Sequence, residues 1–309
     1  MRSAPKPGSM RQAVADYRDR RSHAPQVPLD AFQISSALLL LALVVHPPDG
    51  AHWIARATFA LGLIVPIISR RFATFWVVAF VLFLTAPVER AWLSLDNHEI
   101  LQVYWLGAFV VCRFATCPHD VLRTSARWML ALVFVFATAW KIASPDFHDG
   151  SAIEFFFGVE PRMADVAVAF DLQDEGAVGR NWEQLATWRD GERGPREFDL
   201  EVGEPIRRAA TPLALLALVL EAAVGVAYLL PLRQSWRATR DLTLVGFILL
   251  TYPLAPVLPF AWLLLSMGAM ASDLPERRRN GLYIATFLVV SLVYAARSVT
   301  LFPLAEWLF

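Results

Sequence analysis

Residues Phe134–Phe155 read FVFATAWKIASPDFHDGSAIEF. A very apolar helix runs into Trp140-Lys141 and stops at Ser144-Pro145, because the residue before a proline is pushed out of the helical region. A turn rich in Asp and His follows, Asp146-Phe147-His148-Asp149-Gly150, and a new amphipathic segment opens at Ser151. Lys141 is the unusual residue. The chain holds 26 arginines and two lysines, and the other lysine, Lys6, lies in the N-terminal tail. A guanidinium stays protonated, whereas a desolvated amine can release its proton. A lone lysine in an arginine-biased chain is therefore a candidate base. The plainer reading is a lysine at a helix end that snorkels to a membrane interface beside Trp140.

Outward from this stretch, the chain repeats the same kind of run. Of its 309 residues, 56% are hydrophobic and 18% charged, and the mean hydropathy is +0.45. A soluble domain carries about 25% charge. The net charge is zero, which gives no footprint for a nucleic-acid partner. Apolar runs fall at 31–46, 51–69, 73–92, 98–117, 125–143, 209–231, 241–256, 257–272 and 281–303, and a spanning helix needs roughly 17–25 residues. Arginines follow alternate runs: Arg70 and Arg71 the second, Arg113, Arg123 and Arg127 around the end of the fourth, Arg233, Arg237 and Arg240 the sixth, Arg277 to Arg279 the eighth. The positive-inside rule places these loops, and the basic tail, in the cytoplasm. Nine spans fit this alternation. A re-entrant pair in place of the seventh and eighth, which Pro253, Pro256 and Pro259 join, fits equally.

The expected fold class is thus all-α, a polytopic transmembrane helical bundle of about nine spans in the plasma membrane. Its N-terminus is cytoplasmic and its C-terminus extracytoplasmic. The divisions are a basic tail (1–28), spans 1–5 (29–145), an extracytoplasmic segment (146–208) and spans 6–9 (209–309). Between 171 and 208 the outer segment holds ten acidic residues and six arginines. Ser151 to Phe170, interrupted by Glu160-Pro161-Arg162, reads as a helix at the interface or over the outer mouth. Asn181 to Trp188 reads as a second helix with Asn181 as its N-cap.

Topology gathers the polar groups. Lys141 falls near the outer end of span 5 and His98 at the outer start of span 4, with Gln102 one turn further on the same face. His46, His52 and His148 lie on the same side, yet their spacings match no metal site, and no metal is expected. Asp96-x-x-Glu99 has the form of a capping box. Glu221 sits midway along span 6, where an ionisable group is a functional-site hypothesis by default, and Arg297 is a candidate partner. Burial among Phe134, Phe136 and Trp140 favours the neutral amine of Lys141, while Asp146, Asp149 or Glu154 nearby favours the ammonium. Cys112 and Cys117 read as packing residues.

The stretch around Lys141 resembles the signature of the HTTM (horizontally transferred transmembrane) domain family, related to the membrane domain of vitamin K-dependent γ-carboxylase. The shared pattern is an aromatic-rich helix, small residues, a Lys, a short gap, an aromatic, an acidic residue-Gly pair and another helix. Asn97-His98 before an apolar helix, and the span holding Glu221 with Leu232-Arg233 after it, resemble two further segments. The resemblance implies a carboxylase- or oxygenase-like enzyme using a reduced, vitamin K-like quinone at the outer membrane face. Lys141 would be the base, His98 a second acid/base group and Glu221 a buried acid that tunes or relays protons. No large extramembrane domain follows span 9, and spans 7 and 8 hold no His, which departs from the peptide carboxylase. The expected partners are the lipid bilayer, a quinone, and an extracytoplasmic protein or small-molecule substrate. A different class is a non-enzymatic transporter or assembly factor in which Glu221 and Arg297 line a path. A third is a redox membrane component linked to quinones.

Overall fold

A computed structural model of the chain describes residues 29–45, 53–89, 97–189, 199–231, 236–255 and 257–305. Every regular element among them is a helix. The first six are α1 (Leu29–Val45), α2 (Trp53–Ile64), α3 (Pro66–Arg71), α4 (Ala73–Glu89), α5 (Asn97–Phe114) and α6 (Pro118–Ala143). Four shorter ones follow: α7 (Pro145–Asp149), α8 (Ser151–Val159), α9 (Pro161–Ala169) and α10 (Glu175–Arg189). The chain returns through α11 (Glu204–Leu229), α12 (Arg237–Thr251), α13 (Leu258–Ala271) and α14 (Glu276–Ala305).

Prolines set several boundaries. Pro66 has no N–H and disfavours helix at the residue before it, so Val65 leaves the helical region (φ −115°, ψ 75°). The apolar run at 51–69 is therefore two helices, α2 and α3, and not one continuous helix. Ser144 is extended (φ −90°, ψ 118°) ahead of Pro145 and ends α6. Glu160 does the same ahead of Pro161, which splits the segment from Ser151 to Phe170 into α8 and α9.

The core is built on α13. Its sequence, LPFAWLLLSMGAMA, is apolar on every side, and such a helix must be enclosed. All of its residues except Phe260 are buried, against α1, α5, α6, α12 and α14. The Ser266 hydroxyl donates to the Ser35 carbonyl at 2.7 Å and accepts from Trp105 Nε1 at 2.8 Å, tying α13 to α1 and α5. Bonds of this kind between membrane helices contribute on average about 0.6 kcal/mol each. Beside them Trp76 stacks on Phe109 with centroids 4.2 Å apart. The two runs that the prolines join form separate helices, α12 and α13, which pack against each other. At fourteen residues α13 rises only ~21 Å, short of the roughly 30 Å of a hydrocarbon core.

Among the described residues three helices are long and apolar enough to cross a membrane: α6, α11 and the Glu276–Ala296 part of α14. Apolar helices in α1, α2, α4 and α13 are shorter. The long helices turn apolar side chains outward. Phe136 and Trp140 on α6 are 67% and 73% exposed, and Leu215, Val219 and Leu292 are exposed on α11 and α14. An apolar exterior of this extent fits a bundle solvated by lipid.

Polar groups collect at the two ends. At one, Arg113 donates to the Arg70 carbonyl (2.5 Å), and Arg127 donates to Tyr228 and Leu230 carbonyls (2.9 Å each). Arg240 adds bonds to the carbonyls of Ala227 and Leu230 (2.8 and 2.7 Å). These are carbonyls at the end of α11, which have no partner within the helix. Asp273, just past α13, pairs with Arg123 and Arg240. Among the described residues, the arginines that follow alternate apolar runs thus lie at a single end. Nearby, within the bundle, the Tyr283 hydroxyl donates to the fully buried Asp241 at 2.7 Å. From the arginine end α6 rises to Lys141 at the opposite end.

The α6–α11 contact is close because of Gly225. A Cβ there would lie 3.3 Å from Val135 N and 3.4 Å from Phe134 Cβ. Gly225→Leu is expected to force the two helices apart at a cost of about 1–3 kcal/mol. Thermal unfolding in detergent should show a lowered midpoint, and an unchanged one would mean the contact is not needed.

At the far end, α7 and α8 pack on the first half of α11, and α9 and α10 pack against α8. A small separate core joins them: Ile153, Phe157 and Ala167 against Ile206, Ala210 and Ala214, with Phe147 at its edge. Asn181 is fully buried within α10 and is not its N-cap. Its amide donates to the carbonyls of Gly158 (3.0 Å) and Glu201 (2.9 Å) and accepts from Glu201 N–H (2.9 Å). The capping role belongs to Asp174, whose carboxylate accepts the Ala177 N–H at 2.9 Å. Arg180 forks onto Glu201 (2.9, 3.0 and 2.5 Å) and holds that carboxyl below its usual range. Part of the acidic stretch at 171–208 is therefore neutralised within itself.

Candidate functional site

α6 and α11 run antiparallel, and this brings Lys141 and Glu221 together. Side chains on a helix lean toward its N-terminus. Lys141, near the last turn of α6, leans back toward the arginine end. Glu221, on the opposed helix, leans the other way. The two meet: Lys141 Nζ donates to Glu221 Oε1 at 2.8 Å and to Oε2 at 2.7 Å. Both side chains are well shielded, 17% and 13% exposed. The Phe147 ring lies 5.1 Å from the ammonium, centroid to nitrogen, a cation–π distance. Tyr252, buried at the end of α12, is within electrostatic reach of Glu221.

The Asp–His turn holds Phe147 in place. His148 Nε2 bonds the Ile142 carbonyl at 2.8 Å and so satisfies the end of α6. Asp149 accepts from the N–H (2.9 Å) and hydroxyl (2.7 Å) of Ser151, and the N–H bond holds its carboxyl below the ordinary range. Gly150 has φ +91°, a conformation that suits glycine. A Cβ on it would also come 2.7 Å from Thr211 N, so the turn sits directly on the α11 backbone. Thr211 Oγ1 closes this contact by donating to the Asp149 carbonyl at 2.9 Å.

These contacts revise the expected surroundings of Lys141. The carboxylate that meets it is Glu221. Asp149 is engaged with Ser151. The proposed Arg297 partner of Glu221 has its side chain outside the described residues, as do His46, His52 and Asp96. His98 stands half-buried in the first turn of α5, at the same end of the bundle as Lys141, with Glu99 and Gln102 buried beside it. The bonds that define the pair run between α6 and α11 alone. Among the described residues no group of three His, Cys, Asp or Glu is arranged to hold a metal. Cys112 is buried and Cys117 exposed, both as free thiols.

The sequence carried one sign of the pair. Lys141 and Glu221 are each an ionisable side chain set within an apolar run, those at 125–143 and 209–231. Chemically, the arrangement places a proton donor against two acceptor oxygens with little water access. A proton can move from Nζ to Glu221, which converts the ion pair into a neutral amine and a carboxylic acid.

No protein-family model, curated protein or solved structure matches this chain. The resemblance to the HTTM family therefore rests on the motifs around Lys141, His98 and Glu221.

Proposed function

We propose that this chain is an HTTM-type integral membrane enzyme that uses Lys141 as a base toward a lipid-soluble hydroquinone, in carboxylase- or oxygenase-like chemistry. The observation that carries this reading is the shielded Lys141–Glu221 pair, with both carboxylate oxygens on one ammonium. An ammonium cannot accept a proton. Glu221 removes that difficulty by taking the lysine proton at 2.7–2.8 Å and leaving a free amine. The amine then takes the proton of a phenolic O–H that approaches it, which leaves a phenolate, and Glu221 releases the proton it took to water as the ion pair re-forms. The donor set fits such a molecule: a proton-accepting pair, and the Phe147 and Phe156 rings, centroids 6.5 Å apart, as apolar contacts for a flat ring. A reduced quinone, when bound, supplies the ionisable phenol and the reducing electrons. His98 serves as the second acid/base group by resemblance.

The orientation follows from the arginine end. With that end cytoplasmic, Lys141 and the α7–α10 cap face the extracytoplasmic side of a plasma membrane. About nine spans then complete the bundle, with the N-terminus inside and the C-terminus outside.

The direct test is reconstitution into liposomes with a reduced naphthoquinone and oxygen. Quinol consumption above that of empty liposomes is expected, together with co-isolation of a quinone from the purified protein. Neither signal, in a folded preparation, would end the enzymatic reading.

A further inference from the structure

A cavity of about 290 Å³ lies at the arginine end, lined by Gln33, Pro66, Ile67, Arg70 and Arg71. It is far from the Lys141–Glu221 pair and plays no part in the chemistry proposed there. We infer that this cavity binds the anionic phosphate headgroup of a membrane phospholipid. Its chemistry is divided in the way a lipid is divided. Arg70 and Arg71 carry guanidinium groups, which suit phosphate oxygens because of their planar fork of N–H donors. Gln33 offers an amide. Pro66 and Ile67 form an apolar wall that continues into Ile64 and Phe72, 77% and 54% exposed, along which acyl chains run.

The backbone around the cavity is fixed for this purpose. Trp76 Nε1 donates to the Ser69 carbonyl at 2.6 Å, and Ser69 is buried, so α3 is pinned from behind. Arg113 donates to the Arg70 carbonyl at 2.5 Å. A helix C-terminus repels anions through such exposed carbonyls, and Arg113 removes that repulsion. At the same end the Asp273 carboxylate is shared by Arg123, Arg240 and Arg237. Volume sets the size of the guest. About 290 Å³ is the lower end of the ligand range, enough for a headgroup and not for a whole lipid. Basic pockets between membrane helices bind anionic headgroups by this same division of labour.

Native mass spectrometry of the detergent-solubilised protein, titrated with phosphatidylglycerol or phosphatidylcholine, tests the site. Wild type should retain phosphatidylglycerol and release phosphatidylcholine. The Arg70→Gln/Arg71→Gln protein should bind phosphatidylglycerol about 30-fold more weakly, at about fivefold for each arginine. Arg71→Gln alone, an exposed change compatible with folding, should lose about fivefold. Arg277→Gln/Arg278→Gln removes two exposed arginines from the same end and should leave retention unchanged. An equal loss in that control would make the effect diffuse surface charge and overturn the site. Displacement of the lipid by millimolar inorganic phosphate would show that free phosphate, and not a lipid, is the guest. No preference between the two lipids would also overturn the proposal.

Discussion

Lys141→Arg is expected to leave the protein folded and to reduce quinol turnover by about 10²–10⁴, the range that a positioned acid or base contributes. The substitution separates the contact that Lys141 makes from the base role proposed for it. As an electrostatic clasp, Lys141 holds Glu221 between α6 and α11 through two bonds of 2.8 and 2.7 Å. Arginine can make that same two-oxygen contact with a carboxylate, and its planar fork suits it. As a base, Lys141 must give up a proton, which arginine does not do in proteins. Stability should therefore survive and chemistry should not. The measurement needs both readouts on one preparation: a thermal midpoint in detergent and the rate of quinol consumption in liposomes. Wild-type turnover in this variant would reduce Lys141 to a fixed charge. If Glu221→Gln then abolished function while Lys141→Arg did not, the transporter reading would gain the pair instead.

The distribution of arginines was the most legible part of the fold. Arginines separated by long apolar runs fall at one end because antiparallel helices of similar length return the chain there. The enclosure of α13 was legible too, since LPFAWLLLSMGAMA has no charged face to offer water or lipid headgroups. The break at Pro66 was written in the sequence as well, and an uninterrupted second span passed over it. Asn181 was misread because its residue type favours a cap. Its actual role, tying Gly158 and Glu201 to α10, depends on segments about twenty residues away on either side.

The site divides along the same line. Lys141 and Glu221 were each legible as ionisable groups in apolar runs, but their meeting was not. Lys141 is two residues from the end of α6, whereas Glu221 is seventeen residues into α11. Seen as separate spans, they belong at different depths. They coincide because α11 extends well past the end of α6, a stagger set by Ile206, Ala210 and Ala214 packing against α8 and α9. That stagger is a tertiary property with no periodicity to announce it.

Removing one member of the pair should be far more damaging than removing both. Glu221→Leu leaves the Lys141 ammonium in a shielded position without its carboxylate. Lys141→Met does the converse to Glu221. Each single change is expected to cost about 3–5 kcal/mol, because an uncompensated charge remains where solvent is scarce. The Lys141→Met/Glu221→Leu protein carries no such charge and fills the space with apolar groups of similar length. Replacing a whole buried pair in this way is often neutral or stabilising, so the double variant should recover most of the loss. A double-mutant cycle in detergent, with unfolding free energies for all four proteins, measures the coupling directly. Strong coupling means that the pair acts as one unit at this end of the bundle. Additive losses would mean that each side chain is stabilised by its own surroundings. The proton exchange proposed for Lys141 would then lack its acceptor. The coupled and catalytic roles also come apart in the double variant, which should fold like the wild type and turn over no quinol.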